Sequence, residues 1–89
     1  MADIAQVERI LKATANRRRL AILKYLTKRP GAKVGDIAAE IKLSFKSTSK
    51  HLAVLLGADL VEREQLSLEM HYKLRGPTHS ILKTILSIL

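Results

Sequence analysis

The stretch that most restricts what this chain can fold into is DIAAEIKLSFKSTSKHLAVLLG, Asp36 to Gly57. Two helical patterns abut there with room for only a short turn. Ile37 and Ile41 lie one helical turn apart in the first, which spans Asp36 to about Ile41. Ser44 is suited to cap the second, which runs on to about Gly57. The joint at Lys42 and Leu43 has the spacing of a helix-turn-helix. The second helix is polar and cationic in its first two turns and aliphatic in its last two. At about 100° per residue, Thr48, Leu52, Leu55 and Leu56 share one arc, the core face. The opposite arc holds Lys46, Ser49, Lys50 and Ala53, with Ser47 and His51 at its edge. Lys46 in the first turn works against the helix dipole, which is positive at that end. A helix N-terminus tipped with Lys and Ser suits phosphate oxygens and base edges. The plain alternative is a solvated helix start, because exposed Lys and Ser are common on any helix.

The flanks frame this pair. Ile4, Val7 and Leu11, widened by Ile10, predict a first helix over residues 3–15, with Asp3 as its N-cap. Asn16 can cap a second helix, which carries Leu20, Leu23 and Leu26 and stops at the Arg29–Pro30–Gly31 break. Beyond Gly57, residues 60–65 and 69–74 look extended. Met70, Tyr72 and Leu74 alternate with His71 and Lys73, the period of a half-buried strand. The link Leu66-Ser67-Leu68 is short enough for a hairpin. Gly76 and Pro77 then break the chain before a last helix over residues 78–89. The expected fold is mainly α with a small β-hairpin: four helices, a two-stranded wing and a C-terminal helix, a winged helix-turn-helix in one domain, 1–89.

Charge narrows the function. Sixteen Lys and Arg stand against eight Asp and Glu, a formal net charge of +8 in 89 residues. That favours a polyanionic partner, nucleic acid first and an anionic membrane surface second. With no cysteine, disulfides, thiolate metal sites and cysteine nucleophiles are excluded. No signal-peptide pattern opens the chain and no apolar run approaches a membrane span, so a cytoplasmic protein is expected. No paired carboxylates, Gly-rich phosphate loop or Ser-His-Asp pattern suggests an enzyme. Arg17, Arg18 and Arg19 crowd the start of the second helix, where acids would be better placed. One or two are expected to pair with Glu8, Asp36 or Glu40, Arg19 foremost; Arg17 and Arg18 could instead touch a DNA backbone.

Residues Leu11 to Leu74 resemble the arsenic-repressor (ArsR) family of winged helix-turn-helix regulators. The matching pieces are LKATANRRRLAILKYL, VGDIAAEIKLSFKSTSKHLAVL and ADLVEREQLSLEMHYKL. Ser44 to Leu55, with Ser49, His51 and Leu52, is the most specific portion. The resemblance implies a homodimer on double-stranded, palindromic operator DNA, usually repressing transcription. The fourth helix would enter the major groove, and the first and last helices would form the dimer. On that reading Lys46, Ser47, Ser49 and Lys50, with the Ser44 cap, meet bases and phosphates. Lys42, Arg17, Arg18 and the wing residue Arg63 meet the backbone. Ile4, Val7 and Leu11 would pack against Ile81, Leu82, Ile85, Leu86 and Leu89 of the last helix. Ile81, Ile85 and Ile88 form one apolar row and Leu82, Leu86 and Leu89 a second, one for the protomer's own core and one for the partner; the alternative is that both pack internally.

The departures from the family pattern carry their own expectations. Metal-sensing members bear a Cys-x-Cys on the third helix or acidic and His ligands on the last. This chain has neither, so no metal and no cofactor are expected. Lys42 and Asp59 stand where glycine is usual; a left-handed Lys42 would cost about 1 kcal/mol. Phe45 is expected to cover the core edge, the alternative being a thymine methyl. The wing tip QLSL is flanked by Glu62, Glu64 and Glu69, which would repel phosphate. Exposed Leu66 and Leu68 there leave open a protein-interaction module built on the wing.

Overall fold

In the computed structural model, which describes residues 3–89, eight elements follow one another. They are α1 (Ile4–Thr14), α2 (Arg17–Lys28), β1 (Ala32–Lys33), α3 (Val34–Ile41), α4 (Phe45–Gly57), β2 (Val61–Leu66), β3 (Glu69–Leu74) and α5 (Ser80–Ser87). Side-chain caps set four of the five helix starts, each satisfying backbone N–H groups that lack an intrahelical acceptor. The Asp3 carboxylate accepts from the Gln6 N–H at 2.7 Å. The Asn16 side-chain oxygen accepts from the N–H groups of Arg18 and Arg19. Ser44 Oγ accepts from the Ser47 N–H at 3.1 Å.

Two helix bounds differ from the sequence expectation. α3 begins at Val34 rather than Asp36 and has no side-chain cap; Asp36 sits in its first turn, where a carboxylate suits the dipole. α5 is shorter than residues 78–89 at both ends, running from Ser80 to Ser87; the His79 imidazole caps its start, Nδ1 accepting from the Ile81 N–H at 3.1 Å.

The sheet also has a strand beyond the expected two. β1 lies along β3, with Ala32 opposite Tyr72 and Lys33 opposite His71, giving the antiparallel order β1-β3-β2. Gly31 turns the chain into β1 at φ +85°, and its N–H donates to the Tyr72 carbonyl at 2.8 Å. The β2–β3 hairpin pairs Val61 with Leu74 at its base and Leu66 with Glu69 at its tip. Its two loop residues are Ser67 and Leu68. Ser67 takes a positive φ of 61°, as the first residue of a II′ turn must.

The core lies where α2, α3 and α4 converge on the base of the sheet. Ile22, Leu23, Leu26, Ile37, Leu52, Leu55 and Val61 are fully buried there, joined by Leu82 from α5. Burying each such side chain contributes about 1.5–3 kcal/mol. Leu52 and Leu55, four and seven residues after buried Thr48, clamp α4 by one face only.

Candidate nucleic-acid interface

α3, the turn and α4 meet through one left-handed residue. Lys42 adopts φ 56°, ψ 51°, and its N–H bonds back to the α3 carbonyls. The Leu43 N–H reaches the Ala38 carbonyl at 3.0 Å, closing the turn in the way helix C-termini commonly close. Glycine would take this conformation without strain; lysine does not. Asp59 repeats the device after α4, at φ 60°.

With its inner face fixed, α4 points Lys46, Lys50, Ala53 and Val54 into solvent, while Ser47, Ser49 and His51 are half-buried at its flanks. No acid occurs from Ser44 to Ala58. Phe45 is a correction: it does not cover the core edge but stands 63% exposed at the helix's first position. The first residue of a helix lies at its end, beyond the elements that bury the next turn's inner face.

The three arginines of α2 resolve in a way the sequence did not suggest. Arg19 Nε donates to the Ala13 carbonyl at 2.6 Å and Nη2 to that of Lys12 at 3.3 Å. Arg18 Nη1 donates to the Ile41 carbonyl at 2.8 Å. The expected pairs with Glu8, Asp36 or Glu40 do not form. Each guanidinium instead sits at the C-terminus of another helix, Arg19 at α1 and Arg18 at α3. Unsatisfied carbonyls and the negative end of the dipole favour a cation there. Arg18 thus holds α2 beside the turn that carries Lys42, with further N–H donors on its fork. Arg17 is exposed.

Arg19 also reaches α4. Its Nη1 donates to His51 Nδ1 at 3.4 Å, so that ring nitrogen carries no proton. Burial first, then the charges of Arg19 and Arg18, hold the His51 imidazole below its ordinary 6.5. This link from α1 through Arg19 to α4 escaped sequence reading. Its only signal is the place of Arg19 in the first turn of α2, three residues after the cap Asn16.

The wing is less acidic in effect than in sequence. Glu62 pairs with Lys73 at 3.2 Å and Glu69 with Lys33 at 3.4 Å. His71 Nδ1 donates to the Gly31 carbonyl at 2.8 Å. Arg63 is exposed opposite Tyr72 and makes no ion pair among the described residues. Leu68 stands 95% exposed at the tip.

The two terminal helices lie against each other. Ile4, Leu11, Ile88 and Leu89 are exposed large apolar side chains, and Val7 and Ile85 are half-buried. Leu82 is a correction: at 1% exposure it belongs to the protomer's own core, so it offers a partner no surface. Ile81 and Leu86 also pack partly on that core. The apolar rows of α5 therefore divide by end rather than by row, the start docked and the last residues free. Among the described residues no helix is long and apolar enough to cross a membrane. No group of His, Asp and Glu among them is placed to hold a metal ion.

A two-helix unit around a left-handed turn, braced by a third helix and followed at once by a β-hairpin, defines a winged helix-turn-helix domain. Residues 16–63, over half of the chain, match the model of the bacterial regulatory protein family arsR, and the chain belongs to that family. It is 27% identical over 88 residues to the HTH-type transcriptional regulator YgaV of Escherichia coli K12, covering 98% of this chain and 89% of that one. Reduced HlyU from Vibrio cholerae superposes with a TM-score of 0.81 at 32% identity, over 96% of this chain and 85% of that one. The homodimeric winged helix-turn-helix DNA-binding domain of Mb0332 from Mycobacterium bovis gives 0.83 at 28% identity, over 96% and 76%. The protein is a DNA-binding transcriptional regulator, not an enzyme.

Proposed function

We propose that the protein is a homodimeric repressor that reads a palindromic operator through α4, in the cytoplasm. The observation that carries this reading is α4 itself. It is held by Thr48, Leu52 and Leu55 so that Lys46 and Lys50 project freely, on a helix without a single acid. Lys46, Ser47, Ser49 and Lys50 meet base edges and phosphates in the major groove, with the Ser44-capped N-terminus toward the backbone. Phe45, exposed at the same end, is suited to a thymine methyl. Lys42, Arg17 and the unused donors of Arg18 flank the groove as phosphate contacts, and Arg63 is the wing's contribution. The apolar side chains left free on α1 and at the end of α5 form the dimer, consistent with the homodimeric state of Mb0332. A two-fold axis there sets the two α4 helices about 34–36 Å apart, one turn of DNA.

The test is Lys46→Ala with Lys50→Ala. The double variant should unfold like the wild type and lose sequence-specific duplex binding. The salt dependence of its remaining affinity should flatten by about one unit for each phosphate contact removed. Unchanged duplex affinity would exclude α4 as the reader. One observation favours a second reading, a protein-docking wing: Leu68 is 95% and Leu66 48% exposed. A salt-insensitive protein complex abolished by Leu68→Asp, in a chain that retains no DNA, would favour it.

A further inference from the structure

A cleft of about 510 Å³ opens between α1, the turn joining α4 to β2, and the segment leading into α5. That volume lies in the range of small-molecule sites, about 300–1,000 Å³. Its floor is apolar: Ile10, Leu60 and Leu82, each part of the core. Its rim is polar and predominantly cationic. Arg9 lines it and makes no ion pair among the described residues. Arg75 lines it too, paired at 3.1 Å with Asp59, the rim's one acid. Gln6 and Thr78 add uncharged polar groups. His79 receives the Ile81 N–H on Nδ1, which leaves its ring proton on Nε2 as a donor. An apolar floor beneath several donors and one unpaired guanidinium is complementary to a carboxylate or phosphate carried on a small apolar body.

The position of the cleft gives such a ligand something to do. Around α1, Gln6 and Arg9 lie about 130–170° from the face of Ile4, Val7 and Leu11, at about 100° per residue. A dimer built on that apolar face leaves the cleft open. The cleft nonetheless touches both terminal helices, through Arg9 on α1 and through Leu82 and the His79 cap on α5. A ligand held across them fixes the spacing of the two helices that carry the dimer contacts, and through the dimer the spacing of the two α4 helices. We propose that this cleft binds a small organic anion, which acts there as an effector of DNA binding. The effector role rests on the homodimeric, DNA-reading function proposed above; the binding site does not.

The experiment therefore has two arms. In the first, the full chain without DNA is titrated with benzoate, with its neutral isostere benzamide and with inorganic phosphate, following backbone amide resonances. Benzoate should shift Gln6, Arg9, Thr78 and His79 together along a saturating curve in the millimolar range. Benzamide should bind about tenfold more weakly, the loss expected for one charge-assisted hydrogen bond. Arg9→Gln, a change at an exposed side chain, should weaken benzoate by a similar factor with the spectrum otherwise preserved. If no cleft resonance moves, if only phosphate binds, or if benzamide or Arg9→Gln matches the benzoate and wild-type result, the site is overturned. In the second arm, duplex affinity is measured with and without saturating benzoate. A change of about fivefold or more, absent in Arg9→Gln, supports the effector role. Equal affinities overturn that role alone. A chain that binds benzoate but no duplex at all overturns the DNA-reading function and leaves the anion site standing.

Discussion

Replacing Thr48 by valine should make the protein more stable, although the residue lies in the middle of α4, the helix proposed to read DNA. Thr48 is 0% exposed, and its Oγ1 is buried with no hydrogen-bond partner. A helical threonine can relieve such burial by bonding back to the carbonyl four residues earlier. Here that carbonyl, Ser44, takes the Thr48 N–H at 3.0 Å, and the hydroxyl makes no such bond. A buried unsatisfied hydroxyl costs about 1–3 kcal/mol, while valine has nearly the same shape and keeps the β-branch. The methyl that replaces the hydroxyl adds burial worth about 0.8 kcal/mol at most. The net gain should be about 2 kcal/mol, a rise of about 8–16 °C in Tm for a domain of this length. Urea unfolding at one fixed protein concentration is the assay, since the proposed dimerisation would make midpoints concentration-dependent. Thr48→Val should raise the midpoint with an unchanged m-value and leave duplex affinity as it was. Thr48→Ser, which keeps the hydroxyl and loses the methyl, should lower it. A valine variant no more stable than the wild type would show that the hydroxyl finds a partner in solution, refuting the reasoning.

Lys42→Gly should separate stability from binding. Relief of the left-handed lysine should add about 0.5–1 kcal/mol in urea unfolding, while loss of a proposed phosphate contact should lower duplex affinity; a fall in stability would contradict the strain argument. His51 has its titration depressed in the fold, so the unfolded chain binds its proton more readily. Stability should be full above pH 6.5 and fall as the pH drops below it, and His51→Gln should remove that part of the pH dependence; identical profiles for variant and wild type would sink this assignment. Leu82→Ala should cost about 2–5 kcal/mol as a core truncation. Ile88→Ala should barely alter unfolding of the protomer but shift sedimentation toward the monomer, and a dimer indifferent to Ile88 would place the interface elsewhere.

The element order, the helix-turn-helix and the wing were legible in the residues because each rests on local chemistry. Ser44, Asn16 and Asp3 are caps whose acceptors reach backbone donors two or three residues ahead. The core face of α4 follows from the spacing of Thr48, Leu52 and Leu55 alone. The outward placement of Lys46 and Lys50 is the other half of the same periodicity. A two-residue strand such as β1 shows no alternation to read, and it exists only because β3 presents a free edge beside Gly31.

What the tertiary structure decided were the partnerships between segments far apart in the chain. The run of arginines at 17–19 states three charges but not their destinations. Packing brings the C-terminus of α1 within reach of Arg19 and that of α3 within reach of Arg18, and bare carbonyls there outcompete the acids that sequence spacing made candidates. The two rows of α5 are equally apolar on a wheel. Only the docking of its first turn sends Leu82 into the core and leaves Ile88 and Leu89 outside. Phe45, one residue too early on α4 to be covered, is released to the surface. The cleft under Arg9 and His79 has no sequence signature at all, since its walls come from both ends and the middle of the chain. Periodicity and capping are encoded within a few residues, whereas the reach of a guanidinium or the shape of a cleft is settled when helices close around a shared core.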